Sequence, residues 1–161
     1  LLLIFSLFSF TVVKSQQLPE FNNKPAFFDP MSNDLVELER SQYNTIAKAK
    51  GLFKAEAGFF LNGGSSRVKI GKKPELIFIV KVHPGTDPAD IFDLVQFEVK
   101  NEKRVFMTAK ASVAKSSNSF DKIPYGVKKI KDGYYQLIAK NLNEGEYFFG
   151  SSESMFAFSI R

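Results

Sequence analysis

The chain has 161 residues, a formal net charge of +5 and no cysteine. This length suits one domain that buries a sizeable core without covalent cross-links. The lack of thiols excludes disulfides, thiolate metal sites and a cysteine nucleophile.

The N-terminal run is the first predicted element. Residues 1–13 are almost entirely apolar, and Lys14 ends the run. About 13 residues are too few to span a hydrocarbon core of about 30 Å, but they match the apolar core of a secretion signal. Val13 and Ser15 provide small residues for cleavage. The sequence therefore predicts a signal peptide over 1–15 and an exported protein, in the periplasm, at the outer-membrane surface or outside the cell. A buried N-terminal strand or helix and an uncleaved anchor are the alternatives. No transmembrane segment is predicted after this run.

The next segment, 16–33, contains three prolines and several Asn and Asp residues. This composition predicts an irregular N-terminal segment. Its aromatic residues Phe21, Phe27 and Phe28 indicate that it packs onto the domain that follows.

Strand signals begin after that segment. The stretch "YNTIAKAKGLFKAEAGFF" contains good helix formers, but it also alternates, and Gly51 and Gly58 would interrupt a helix, so we predict strands. The continuous apolar run "ELIFIVKV" (Glu75 to Val82) has the length of a central strand that is covered on both faces.

Three hairpins are predicted in the second half of the chain. The first joins "DLVQFEVKN" to "KRVFMTAKASVAK" and places Val95, Phe97 and Val99 on one face. The second turns at Asp132-Gly133, a favoured two-residue turn. The third joins "GEYFFG" to "SMFAFSI". Together these segments predict a single all-β domain over 34–161, an antiparallel β-sandwich of about nine to ten strands, immunoglobulin-like or jelly-roll-like.

The loop "HPGTDPADIFD" contains the single histidine, His83, and three aspartates. Asp87, Asp90 and Asp93 could supply three oxygen ligands to calcium, but their spacing is not that of a calcium loop. Pro, Gly and Asp also suit a plain turn, and Asp87 can cap one helical turn that begins at Pro88. We therefore predict a solvated polar loop, with calcium only as a weak candidate. One histidine cannot form a histidine-rich zinc site.

No other cofactor or catalytic residue is predicted. The chain has no Gly-x-Ser-x-Gly elbow and no phosphate-binding loop. Its lysines alternate with apolar residues, as they do on solvated faces and edge strands, so nucleic acid is not an expected partner. Paired carboxylates of a glycosidase stay open, because their separation is a property of the fold.

Three stretches, "PEFNNKPAFFDP", "LVELERSQYNTIAKAKGLFKAEAGFFLNG" and "NLNEGEYFFGSSESMFAFSI", carry a resemblance. They resemble small exported β-sandwich proteins of unassigned function from Bacteroidetes-type bacteria. The resemblance covers most of the chain after the predicted signal and implies export and a sandwich fold. It implies no functional residue.

The functional hypothesis is an exported, non-enzymatic binding or interaction module whose partner is a protein or a surface glycan. Contact would come from loops at one end of the sandwich, with "HPGTDPADIFD", "NGGSS" and "SSNS" as candidates. The alternative is a small secreted hydrolase that acts on envelope polysaccharide or peptide. A third hypothesis is a structural subunit that adds strands to a partner. The sequence leaves the oligomeric state open.

Overall fold

The computed structural model describes residues 17–49, 54–112, 115–117, 122–151 and 154–161. The predicted signal peptide over 1–15 lies outside these residues. The strands are, in chain order, β1 Ala26–Asp29, β2 Asp34–Glu37, β3 Glu39–Ser41, β4 Asn44–Ala49, β5 Lys54–Asn62, β6 Lys69–Ile70, β7 Glu75–Lys81, β8 Asp93–Gln96, β9 Glu98–Lys100, β10 Lys103–Ser112, β11 Lys115–Ser117, β12 Gly126–Lys131, β13 Tyr134–Lys140, β14 Gly145–Gly150 and β15 Met155–Ile160.

The strands form three sheets. Sheet 1 has the order β12-β13-β7-β1-β2, sheet 2 has the order β3-β15-β14-β8 with β6 beside β15, and sheet 3 has the order β11-β10-β5-β4 with β9 beside β10. Every strand pair among the described residues is antiparallel except β6 with β15. The predicted all-β, antiparallel class is therefore confirmed, whereas the predicted strand number is too small.

Sheet 2 lies between the other two sheets and is buried on both faces. Successive side chains of a strand point to opposite faces, so neighbours in β14 enter different cores. Phe149 packs with Phe78 of sheet 1, with ring centroids 5.0 Å apart. Its neighbour Phe148 packs with Phe106 of sheet 3 at 5.4 Å. All six residues of β15 are buried for the same reason. The described residues thus form two apolar cores, one between sheets 1 and 2 and one between sheets 2 and 3, that share one sheet.

Two of the additional strands arise where the chain passes from one sheet to another. At Leu38 it leaves sheet 1 and enters sheet 2, and at Phe97 it leaves sheet 2 and joins sheet 3. Both residues are buried.

The predicted common face of Val95, Phe97 and Val99 is only partly correct. Val95 and Phe97 are core residues, but Val99 is 50% exposed, because β9 continues as an outer strand of sheet 3.

The N-terminal segment is more regular than predicted. Ala26–Asp29 forms β1, which lies between β7 and β2 in sheet 1. Phe27 and Phe28 are buried, whereas Phe21 is exposed. Antiparallel pairing with the apolar strand β7 outweighs the turn-forming residues on either side, so the prediction of an irregular segment over 16–33 was wrong for these four residues.

The local predictions agree with the structure. The described part of the stretch with good helix formers forms β4 and β5, which pair antiparallel, and β7 lies inside sheet 1 between β13 and β1. The three predicted hairpins appear as β9–β10, β12–β13 and β14–β15. The second turns at Gly133, whose φ of 77° is the left-handed conformation that glycine adopts without strain. Within the described residues, no helix has the length and apolar character needed to cross a membrane.

Candidate functional site

The loop with the three aspartates is a structured turn. Asp87 caps the 3₁₀ helix Pro88–Asp90, and its Oδ1 accepts a hydrogen bond from the backbone N–H of Ala89 at 2.9 Å. Asp93 forms an ion pair with Lys122 at 2.8 Å, and the side chain of Asp90 is exposed. Among the residues that the structure describes, no three His, Cys, Asp or Glu side chains lie close enough together to hold a metal ion. Calcium binding by Asp87, Asp90 and Asp93 stays the weak alternative to the predicted solvated loop.

The other two candidate loops, "NGGSS" and "SSNS", are not simply exposed contact loops. Ser66, the last residue of "NGGSS", is buried rather than presented to solvent. The stretch "SSNS" lies partly outside the described residues. Its first two residues, Ser116 and Ser117, belong to β11.

Ser66 is part of a polar cluster between sheets 2 and 3 that is buried or half-buried except for the side chain of Arg161, which is 45% exposed. The cluster comprises Glu39, Ser66, Arg104, Glu146, Ser159 and Arg161, and we refer to it as the inter-sheet cluster. Glu146 lies two residues before Phe148 in β14, and Ser159 lies two residues after Ala157 in β15, so both polar residues share the face of those apolar residues and point toward sheet 3. Arg104 of β10 is 2% exposed and reaches the cluster through its contact with Glu39. The strands themselves therefore carry these charges into the interior.

Glu39 holds the first carboxylate of the cluster. Arg104 Nη2 donates to Glu39 Oε1 at 2.8 Å, the Ser66 hydroxyl donates to Oε2 at 2.6 Å, and the Arg67 N–H donates to Oε2 at 2.9 Å. Burial alone would raise the pKa of Glu39, but the hydrogen bonds from Arg104, Ser66 and the Arg67 N–H outweigh burial and lower this pKa to about 2. Glu39 is therefore ionised at neutral pH.

Glu146 holds the second carboxylate, which is 2% exposed. Its Oε2 accepts hydrogen bonds from the Ser66 N–H at 2.8 Å and from the Ser159 hydroxyl at 2.7 Å. Its Oε1 is paired with the guanidinium of Arg161. The two glutamates thus converge on Ser66, Glu39 through the hydroxyl and Glu146 through the backbone N–H.

This arrangement suits structure better than acid–base catalysis. Each carboxylate has an arginine partner, and no buried side-chain nitrogen or oxygen in the described part of the chain lacks a hydrogen bond. A carboxyl with a pKa near 2 is neither a proton donor at neutral pH nor an effective base. We conclude that the cluster fixes sheet 3 against sheet 2. It was missed from the sequence, although Glu146 and Ser159 occupy inward positions of otherwise apolar strands.

An open surface depression lies on the opposite, outer face of sheet 3. This outer groove has a volume of about 570 Å³ and is lined by residues of β4, β5, β9 and β10. Phe60 and Val105 are cross-strand partners and so lie on the same face, as do Ile46 and Met107 on either side of Gly58. These four residues form its apolar part, and none of them is fully exposed.

Gly58 lies beside a β-bulge in this face. A Cβ at this position would lie 2.4 Å from the carbonyl oxygen of Phe106, so only glycine permits the two backbones to approach this closely. The register of β5 and β10 then shifts between Met107 and Ala109. A bulge of this kind bends and twists a strand.

Charged residues of both signs flank the outer groove. Lys100 and Glu98 form an exposed ion pair at 2.6 Å. The ammonium of Lys103 lies 4.5 Å from the centroid of the Phe60 ring and therefore covers one face of that ring. The groove combines an apolar floor with a polar, nearly charge-balanced margin.

Two smaller depressions lie elsewhere on the surface of the described residues. A cleft of about 360 Å³ opens between sheets 2 and 3 and is lined by aromatic residues that include Tyr43, Phe59 and Phe106. A third, of about 260 Å³, lies between the N-terminal segment and the strands β2 and β3. The cleft between sheets 2 and 3 has one charged lining residue, Asp93, whereas the third depression has as many charged lining residues as the outer groove, two acidic and two basic.

The chain was compared with known protein families, curated proteins and solved structures. No protein-family model, no curated protein and no solved structure matches the chain.

Proposed function

We propose that the protein is an exported, non-enzymatic binding module that holds an extended polypeptide segment of a partner in the outer groove of sheet 3. The observation that supports this proposal is the groove itself, an open depression of about 570 Å³ on the outer face of sheet 3. Apolar floors with a few placed polar groups are typical of ligand sites. The contact surface is then a sheet face rather than the loops at one end of the domain.

The chemistry of the groove favours a polypeptide over a surface glycan. A sugar ring needs an open aromatic face, and Lys103 covers one face of the Phe60 ring at 4.5 Å. An extended peptide alternates its side chains, so it can place apolar groups over Ile46, Val105 and Met107 and polar groups along Lys100 and Glu98.

A small hydrolase is the alternative function. It would require two carboxylates of contrasting protonation state beside a cleft. Glu39 and Glu146 do converge, but both are paired with arginine and neither lines one of the three depressions described above. Their arrangement favours the binding module.

The sandwich prediction also belongs to this proposal. Sheets 1 and 2 pack face to face over a core rich in phenylalanine, as in immunoglobulin-like or jelly-roll-like domains. Sheet 3 would then be an added layer that presents the outer groove. The proposed location is the periplasm, the outer-membrane surface or the extracellular space.

Site-specific photo-crosslinking tests the proposal. A photoreactive amino acid at Val105, in the floor of the groove, is expected to form a discrete adduct with an envelope protein. The same residue placed at Val127, which is 39% exposed on the distant edge strand β12, is the matched control. The Val105 adduct is expected to disappear when Met107→Glu is added, because this change places a charge in the apolar floor.

Three results would contradict the proposal. Equal adducts from Val105 and Val127 would mean that the groove has no special role. Binding to envelope polysaccharide, with no protein adduct at Val105, would show that the ligand is a glycan. Release of sugar or peptide fragments by the purified chain would favour the hydrolase.

A further inference from the structure

The outer edges of the three sheets differ in how well they are protected against pairing with another strand. An unpaired edge invites strand addition unless charges, short length or a covering segment prevent it. The edge strand β12 has the sequence "GVKKIK", with exposed side chains at Lys128, Lys129 and Lys131. The edge strand β2 has an acidic residue at each end, Asp34 and Glu37.

The edges of sheet 2 are short or covered. The strands β3 and β6 have three and two residues. The outer side of β8 is occupied, because the N–H of Ile123 donates to the carbonyl of Leu94 at 2.8 Å and Lys122 pairs with Asp93. In sheet 3, the edge strand β11 is also short, with three residues.

The strand β4 is the exception. It spans six residues, Asn44–Ala49, with the sequence "NTIAKA" and a single charged position, Lys48. It pairs with β5 on one side, and no described strand pairs with its other side. Asn44, Thr45 and Ala47 are exposed, and Ile46 is half-buried at the margin of the outer groove. This is the longest edge in the described part of the chain that has so few charges.

We propose that β4 pairs antiparallel with β4 of a second copy of this chain, around a two-fold axis that passes beside Ile46. A two-fold contact requires only that the strand be complementary to itself. In the register centred on Ile46, Lys48 lies opposite Asn44, Thr45 lies opposite Ala47, and no two lysine positions face each other. The pairing joins the two copies of sheet 3 into one continuous sheet.

The register also fixes which face the contact shares. Residues directly opposite each other in an antiparallel pair point to the same face of the sheet. Ile46 lies on the outer face with Met107, since Gly58 is the cross-strand partner of both. The two Ile46 side chains therefore meet on that face, and the outer grooves of the two copies become one longer trough. The proposal does not depend on what the groove binds.

Charge reversal at the axis tests the pairing. The purified chain is expected to have twice its single-chain mass of 18.1 kDa by light scattering, with dissociation on dilution. Ile46→Asp and Ile46→Lys each place like charges opposite each other, and either change is expected to weaken the dimer by about a hundredfold or more. An equimolar mixture of the two variants is expected to regain the dimer, because Asp then faces Lys. Recovery on mixing would also show that both variants are folded.

Val127→Asp and Val127→Lys, on the edge strand β12, are the matched controls and are expected to leave the dimer unchanged. Because the chain has no cysteine, Ile46→Cys gives a second readout, a disulfide-linked dimer under mild oxidation that Val127→Cys does not form. A wild-type chain that stays at the single-chain mass at every concentration would overturn the proposal. A dimer that survives Ile46→Asp, or one that the mixture does not restore, would also overturn it. None of these results bears on the crosslinking at Val105.

Discussion

Arg104 Nη2 lies 2.8 Å from Glu39 Oε1, and this pair joins β10 of sheet 3 to β3 of sheet 2. The two residues are 65 positions apart in the chain. Their side chains are 3% and 14% exposed, so water screens the attraction only weakly. The contact between two sheets thus depends on a charged pair as well as on apolar packing.

Removing one charge of this pair is expected to be costly. Glu39→Gln leaves the buried Arg104 guanidinium without its counter-charge, and breaking a buried pair in this way costs about 3–5 kcal/mol. The measurement is the free energy of unfolding from urea titration at neutral pH. Glu75→Gln is the matched control, because it removes an exposed pair with Lys140 and is expected to cost less than about 1 kcal/mol. Equal losses of unfolding free energy in the two variants would show that the inter-sheet pair contributes no more to stability than the exposed pair does.

The same glutamate predicts a pH dependence. The pKa of Glu39 is lowered from its ordinary 4.5 to about 2 in the folded protein. A lowered pKa means that the unfolded chain binds the proton first, so the stabilisation is complete above about pH 4.5 and is lost as the pH falls toward about 2. The difference in unfolding free energy between the wild type and Glu39→Gln is therefore expected to shrink over this interval. A difference that stays constant from neutral pH to about pH 2 would contradict the prediction.

Gly133 provides a prediction about the turn between β12 and β13. Its φ is 77°, and an added Cβ would lie 3.0 Å from the carbonyl oxygen of Val82. Gly85 has a similar φ of 83°, but its surroundings are open. We expect Gly85→Ala to cost about 1–2 kcal/mol for the left-handed backbone alone, and Gly133→Ala to cost more. Thermal unfolding of the two variants measures the difference, and equal losses would mean that the contact with Val82 is relieved at no cost.

Phe97 provides a prediction about the core between sheets 2 and 3. It is 4% exposed, and its ring centroid lies 4.4 Å from that of Phe148. Phe97→Ala leaves a cavity at the point where the chain passes from sheet 2 to sheet 3, and we expect a loss of about 3–5 kcal/mol. Val99→Ala, two residues later at a half-exposed position, is the control and is expected to change the stability by less than about 0.5 kcal/mol. A melting temperature that is the same for Phe97→Ala and the wild type would contradict this assignment.

Asp87 provides a prediction about the loop that was the weak calcium candidate. Because its side chain caps the 3₁₀ helix, Asp87→Ala is expected to cost about 0.5–2 kcal/mol. The exposed Asp90 serves as the control, and Asp90→Ala is expected to change little. Calcium is expected to leave the melting temperature of the wild type unchanged. A rise with calcium that Asp87→Asn or Asp90→Asn abolishes would instead establish a metal site.

The sequence predicted the features that depend on neighbouring residues. The apolar run of β7, the turn at Gly133 and the cap at Asp87 each rest on a pattern of a few consecutive residues. The breaks at Leu38 and Phe97 were not predicted, because an apolar residue looks the same whether a strand continues or changes sheets. The inter-sheet cluster was not predicted either, since Ser66 and Ser159 are 93 positions apart and meet only through the fold. The one usable signal was the pair of inward positions held by Glu146 and Ser159.

The burial of sheet 2 on both faces has a consequence for cooperativity. Phe148 belongs to one core and Phe149 to the other, and a single peptide bond joins them. Loosening either core would displace β14 and so disturb the packing of the other. We therefore expect the domain to unfold in a single transition, with no stable intermediate in which only one core is intact. Substitutions at Phe97 and at Phe78, in opposite cores, are expected to shift the same transition.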